Sequence, residues 1–278
     1  MRWKALVGSS SGVVGSLIVL LFLITAVMAP HLAPRSPNAQ NLGTNLRGPG
    51  RDGYLLGSDE LGRDTLSRII YGSRVSLGMG LAAVAFGVLG GIPMGVAAGF
   101  YRGRVDTVLM RFADILLAFP RILLAIVIVA IYGVGFGTLI VAIGFPDVPI
   151  FARLARTSTL VVTELDYVHA ARAIGAGDAR VMARCILPNL VGPMTVQTTF
   201  SMASAILIAG GLSFLGFGIQ PPTPEWGSML AQARTYMRLA PHLVLFPGIV
   251  LAIVVLGINL LGDAFRQAYD PRFRGRDV

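Results

Sequence analysis

Three ionisable residues, Asp114, Arg121 and Asp147, lie within stretches apolar enough to cross a membrane. An ionised group at that depth rarely faces lipid; it faces a bundle interior or an aqueous cavity, or it reaches back to the interface. Arg121 follows Phe119-Pro120 and, in a straight helix begun at Thr107, would lie ~21 Å along the axis. A guanidinium is well shaped for a carboxylate. Two readings of Arg121 therefore stand: a translocation-path residue that meets the carboxylate of a transported solute, or an arginine paired internally or snorkelling outward. Asp147 can pair with Arg121 or with a partner subunit. Arg111 and Asp114, three residues apart, can pair on one helix face. Acids at such depth are also what a proton- or sodium-coupled carrier requires, and Asp114, Arg121 and Asp147 would then form its pathway.

Other chemistries find no residues to carry them. A nucleotide-binding Walker A loop requires Gly-Lys-Ser/Thr, and the only lysine, Lys4, stands between Trp3 and Ala5. His31, His169 and His242 fall on three different loops or loop edges, two expected outside and one inside, so no metal or catalytic cluster unites them. The single cysteine, Cys185, excludes an intrachain disulfide and a cysteine-based metal site. Neither Gly-x-Ser-x-Gly nor His-Glu-x-x-His occurs. The chain is expected not to be an enzyme and to hold neither metal nor cofactor of its own.

A membrane bundle must position these residues. Hydrophobic residues make up 54% of the 278 and charged residues only 13%, which is no soluble domain's composition. The formal charge of +9 would suit nucleic acid, but the arginines are spread around apolar runs. Positive loops facing a cytoplasm account for them more simply. The length leaves room for several spans of about 20 residues and for no large domain outside them.

Arg2 and Lys4 precede an apolar run from about Ala5 to Ala29. It outlasts the 7–15-residue core of a signal peptide, so it reads as an uncleaved first span with a cytoplasmic N-terminus. Pro30 to Arg74 is a polar external segment. It is expected to end in an interfacial helix, with Leu66, Ile69 and Ile70 on the membrane and Arg63, Arg68 and Arg74 toward water. Further spans are predicted at about Val75–Phe100, Thr107–Tyr132, Thr138–Thr159, Asn189–Leu215 and Leu243–Leu261. Gly87, Gly91, Gly95 and Gly99 recur every four residues on one face of the second, a stripe suited to close helix packing. Pro93 is placed to kink that span, and Trp226, outside, suits a membrane interface. The expectation is an all-α membrane protein of six transmembrane helices with both termini cytoplasmic. Residues 1–74 form the first helix and external loop, and residues 75–278 a five-helix core. The predicted cytoplasmic segments hold 13 of the Lys and Arg residues and the outer segments eight, six of those in the long first loop. That bias agrees with the positive-inside rule.

Between the fourth and fifth spans, at about 160–187, lies a polar, Arg-rich island. Leu165 to Ile174 reads as a short helix, with Tyr167, Ala170, Ala171 and Ile174 at helical spacing. Gly175 and Gly177 break it, and a second amphipathic run starts at Asp178. The small Ala170 and Ala171 leave a face that another protein can approach, so the helix is expected to serve as a docking knob.

His169-Ala170-Ala171, followed by Gly175 and Leu187-Pro188, resembles the EAA loop of ABC-importer permeases. That loop seats a short coupling helix in a cleft of a cytoplasmic ATPase. His169 stands where the loop usually carries Glu, and Cys185 where it usually carries Ile. Three longer strings are similar to one branch, the dipeptide, oligopeptide and nickel permeases: GSDELGRDTLSRIIYGSRVSL from Gly57, PPTPEWGSML from Pro221, and NLLGDAFRQAYDPR from Asn259. The resemblance implies a type I ABC importer permease fold in a bacterial or archaeal cytoplasmic membrane. It implies a second homologous permease, two cytoplasmic ATPases that bind ATP and magnesium, and an extracytoplasmic solute-binding protein. The expected surroundings are membrane lipid, with no nucleic acid. Coupling would run through Tyr167, His169, Ala170, Ala171, Arg172, Ile174 and Gly175, and the solute would be a di- or oligopeptide. The rival, an ion-gradient-driven secondary transporter, has no need of the docking loop, and no internal repeat supports it.

Overall fold

The computed structural model describes residues 9–269. The reading of Arg2 and Lys4, and of the basic tail from Asp270 to Arg276, falls outside them. Helix α1 (Ser10–Val27) is capped by Ser9, whose hydroxyl accepts from the Gly12 N–H at 3.1 Å. It packs mainly on the last helix, α10 (His242–Tyr269): Gly15 lies against the Leu261 backbone and Gly257 against Ile18.

Helix α2 (Thr65–Tyr101) is a single element of 37 residues. At 1.5 Å per residue it is about 55 Å long, well beyond a hydrocarbon core of about 30 Å, so one end stands clear of the membrane. Asp64 starts it by accepting from the Ser67 N–H at 2.8 Å, and Pro93 lies within it without ending it. This corrects the interfacial helix expected before Val75. Ile69 and Ile70 are buried and Arg63 and Arg68 are each 1% exposed; of the three arginines only Arg74 is open. The reason is a roof that periodicity does not reveal. Helix α9 (Trp226–Ala233) lies against the first turns of α2, and the Trp226 indole N–H donates to the Ile69 carbonyl at 3.0 Å. Trp226 is wholly buried, so it is core, not an interface anchor.

The third span is also corrected. It is two helices, α3 (Gly103–Leu117) and α4 (Arg121–Tyr132), bent by 90° at the break. Pro120 has no N–H to donate, and its ring disfavours helical angles at Phe119. Arg121 therefore opens a helix instead of sitting ~21 Å along one. Next come α5 (Phe136–Gly144), a 3₁₀ turn (Phe145–Asp147) and α6 (Val148–Thr163), which together are long and apolar enough to cross. A short helix, α7 (Asp166–Ala173), leads through a turn at Asp178–Val181 and a wide turn at Met182–Ile186 into α8 (Leu187–Phe214). Among the described residues five segments qualify as single crossings, and the bent α3–α4 pair makes a sixth.

The strongest helix pair is α2 with α6, and glycines set their separation. A Cβ on Gly91 would stand 2.5 Å from the Phe151 Cβ, and one on Gly99 2.8 Å from the Thr159 Cβ. Both are closer than carbon atoms approach, so the two backbones are nearly in contact, which small residues permit in membranes. At Gly95 a Cβ would meet the Ala155 Cβ at 2.7 Å and also the Ala152 carbonyl. Gly95→Leu is therefore expected to force α2 off α6 at a cost of about 3 kcal/mol. A clear fall in melting temperature of the detergent-solubilised protein would show it, whereas an unshifted melt would mean that the contact yields freely.

Candidate functional site

Helix α7 lies between the adjoining ends of α6 and α8 and is held by three side chains. Val168 is fully buried in the core that also takes in Val181 and Ile186. The Tyr167 hydroxyl receives the Asn189 side-chain N–H at 2.8 Å and donates to the Cys185 carbonyl at 3.3 Å, tying α7 to the start of α8. The Arg172 guanidinium lies 4.7 Å over the Phe100 ring, near the end of α2. Asp166 in the first turn and Arg172 in the last also suit the helix dipole. Gly175 ends the helix at φ +84°, an angle costly for any side chain, while its N–H reaches the Arg172 carbonyl at 2.9 Å. Gly177 has an ordinary extended backbone, so only one of the two glycines is needed for the break.

What remains is an outward face. His169, Ala170 and Tyr167 are exposed, Ala171 is half-buried, and Ile174 is 87% exposed. An isoleucine so open, beside two alanines and on a helix anchored from behind, is a shallow apolar knob. Val168 is the anchor that sequence reading missed; its only signal was an apolar residue on the side away from Tyr167 and Ala170. Just before α7, Glu164 pairs with Arg102, whose guanidinium also reaches the Thr163 hydroxyl at 3.1 Å. The adjoining guanidinium holds the Glu164 carboxyl below the usual carboxylate range.

Within the membrane, Asp147 and Arg121 form an ion pair. Asp147 is fully buried in the 3₁₀ turn between α5 and α6, while Arg121 keeps about a third of its side chain exposed (32%). The second arm of Arg121 donates to the Ser204 hydroxyl of α8 at 3.0 Å. Three crossings thus meet at one guanidinium. Asp114 stands apart. It pairs with Arg153 of α6 at 2.5 Å, not with Arg111, which makes no ion pair among the described residues. A second bridge, Asp106 to Arg156 at 2.5 Å, joins the same two helices. Both pairs border an open polar basin of about 560 Å³.

A further charged cluster lies outside the membrane. Asp59 accepts from the backbone N–H groups of Leu61 and Arg63 at 3.0 and 2.9 Å and from Arg63 Nε at 2.6 Å. Arg63 also reaches Glu60 at 3.0 Å and Gln232 at 3.2 Å, the latter just beyond Trp226 on α9. Arg68 donates to the carbonyls of Pro37 and Pro222 at 3.2 and 3.3 Å. The charged string at Gly57–Arg68 is therefore a clasp that binds the segment preceding α2 to α2 and α9. Its i,i+3 and i,i+4 charge spacing was the available signal. Arg63→Ala is expected to destabilise the protein by about 3 kcal/mol, because it leaves the buried Asp59 with its two backbone N–H donors and, as its one cationic partner, Arg68 at a longer 3.5 Å. Protease sensitivity of residues 30–64 in intact membranes would rise; unchanged sensitivity would show that the clasp is dispensable. Among the described residues no group of His, Cys, Asp and Glu could hold a metal ion.

Residues 91–275 match the family described as binding-protein-dependent transport system inner membrane component. Residues 1–49 match the N-terminal TM domain of oligopeptide transport permease C. The chain is 44% identical over 277 residues to the di/tripeptide transport system permease protein DppC of Pseudomonas aeruginosa, covering 98% of this chain and 91% of that protein. It is 42% identical over 273 residues to the glutathione transport system permease protein GsiD of Pectobacterium atrosepticum, covering 98% and 90%. Its fold is similar to that of a chain of the MetNI methionine ABC transporter solved in inward-facing conformations. That match has a TM-score of 0.60 at 19% identity and covers 74% of this chain and 98% of that one.

Proposed function

We propose, since the chain belongs to the family of binding-protein-dependent transport system inner membrane components, that it imports peptides and is driven through α7. It is an inner-membrane permease subunit of an ABC importer with the type I fold, and therefore a transport protein. An ion-gradient-driven carrier built on Asp114, Arg121 and Asp147 is not favoured: Asp114 is half exposed and paired with Arg153, away from the other two.

In the proposed assembly a second, homologous permease completes the pathway, and an extracytoplasmic binding protein delivers the solute. Two cytoplasmic ATPases supply the work. ATP and magnesium belong to those ATPases, because the only lysine here, Lys4, lies in no phosphate-binding loop. Both termini face the cytoplasm, which the distribution of Lys and Arg supports. Di- and oligopeptides are the proposed solutes: the relatives above are named for di/tripeptide and glutathione transport. Arg121, with its exposed third, is a candidate to line the route.

The observation that carries the coupling role is the knob on α7. Its backing side chains reach α8, through Tyr167, and the end of α2, through Arg172. A pull on the knob is thus passed to two long helices of the bundle. Closure of the ATPases would rock those helices and alternate access to the pathway. The test is to purify the chain in mild detergent and identify co-purifying proteins by mass spectrometry. Recovery of a second permease with ATPases supports the reading. A stable homo-oligomer alone, under conditions that keep known ABC complexes whole, would remove it.

A further inference from the structure

A groove of about 510 Å³ opens on the membrane face between α1, α2, α8 and α10. Its walls are almost wholly apolar, with Phe22 and Leu23 from α1 facing Leu77, Gly78 and Leu81 of α2. Arg74 stands at one end. It is exposed and makes no hydrogen bond or ion pair among the described residues, whereas Arg63 and Arg68, on the turns before it, are buried and paired. An unpaired guanidinium at the mouth of an apolar groove calls for an anion with a hydrocarbon tail.

Depth supports this. Arg74 immediately precedes the apolar part of α2, which places it at the level of lipid headgroups. From Arg74 to Val84, the innermost α2 residue of the groove, the helix descends about 15 Å, half of a hydrocarbon core of about 30 Å. The groove is therefore one leaflet deep, charged at the headgroup end and apolar below. Its volume suits one acyl chain more than a protein helix. Position 78 also leaves open space, since a Cβ there would meet nothing within 4 Å.

We infer that this groove binds one anionic glycerophospholipid of the outer leaflet, its phosphate on Arg74 and one acyl chain along Leu77, Gly78 and Leu81. The inference rests on the membrane placement and orientation of α2, not on the peptide reading, and its test does not use transport.

The assembled transporter, purified and delipidated in mild detergent, is titrated with palmitoyl-oleoyl phosphatidylglycerol or with the phosphatidylcholine of the same chains. Bound lipid is counted by native mass spectrometry. One phosphatidylglycerol should be retained with a preference of about fivefold, the effect expected of one arginine at an anionic lipid surface. Arg74→Gln should erase the preference. Gly78→Phe, which grows into empty space, should abolish retention of both lipids while the melting temperature holds. Equal retention of the two lipids by the unaltered protein, or a preference that survives Arg74→Gln, would reduce the groove to ordinary annular contact and overturn the inference. A photo-reactive aliphatic residue in place of Leu81, which lines the groove and leaves position 78 open, decides between lipid and protein as occupant. Adducts to lipid support the site, and adducts to the second permease would make the groove a subunit interface instead.

Discussion

Replacing Ala170 by tryptophan is expected to abolish ATP-driven uptake while leaving the permease folded. Ala170 is exposed on α7, and the contacts that hold the helix come from Val168, Tyr167 and Arg172. A large side chain there should not disturb this chain, but it should block the ATPase proposed to dock on the alanine face. Loss of a central contact in an interface costs about 2–4 kcal/mol, so ATPase association should weaken by roughly 30- to 1,000-fold. Uptake into proteoliposomes, measured beside thermal stability and size-exclusion profile, checks both halves. Uptake at the original rate would end the coupling role of α7. A collapsed profile would show instead that α7 matters for folding. Val168→Asp is the contrasting variant: it buries a carboxylate among apolar side chains, so folding and uptake should fail together.

Asp147→Leu should destabilise the bundle strongly. It leaves the Arg121 guanidinium with only the Ser204 hydroxyl, inside the membrane. Removing one partner of a buried pair costs about 3–5 kcal/mol, and the partial exposure of Arg121 argues for about 3. The double change Arg121→Leu with Asp147→Leu removes both charges, and the stability should largely return. That pair of variants separates two roles. If the ion pair only joins α4 to the α5–α6 turn, the double variant transports as well as it folds. If Arg121 also meets the solute, the double variant is stable and its uptake is lost by tenfold or more, about 1.4 kcal/mol of transition-state binding. Full uptake by a stable double variant would take Arg121 off the pathway.

These two sites differ in how far they could be read from the chain. Helix α7 was legible because its signals are local: apolar and small residues at helical spacing from Tyr167 to Ile174, and a glycine at 175 that alone accepts φ +84°. The Asp147–Arg121 pair could only be offered as one option among several. Its members lie 26 residues apart on two elements, and the bend at Phe119-Pro120 that brings them together was read as a straight helix.

Sequence by itself determined the apolar segments and hence the membrane bundle, and the break that ends α7. Each depends on residue types within one helix length, where hydrophobic transfer and backbone sterics act without knowledge of the rest. Tertiary structure alone decided where the charges go. Arg63, Arg68 and Trp226 have the composition of an interface, yet α9 folds over α2 and buries them, with Trp226 bonding a carbonyl 157 residues away. A charge or an indole takes whichever partner the packed helices present, because an unpartnered polar group in a low-dielectric interior costs more than a distant contact does. Periodicity shows that a helix has two faces, and only the neighbouring helices determine which of them meets water.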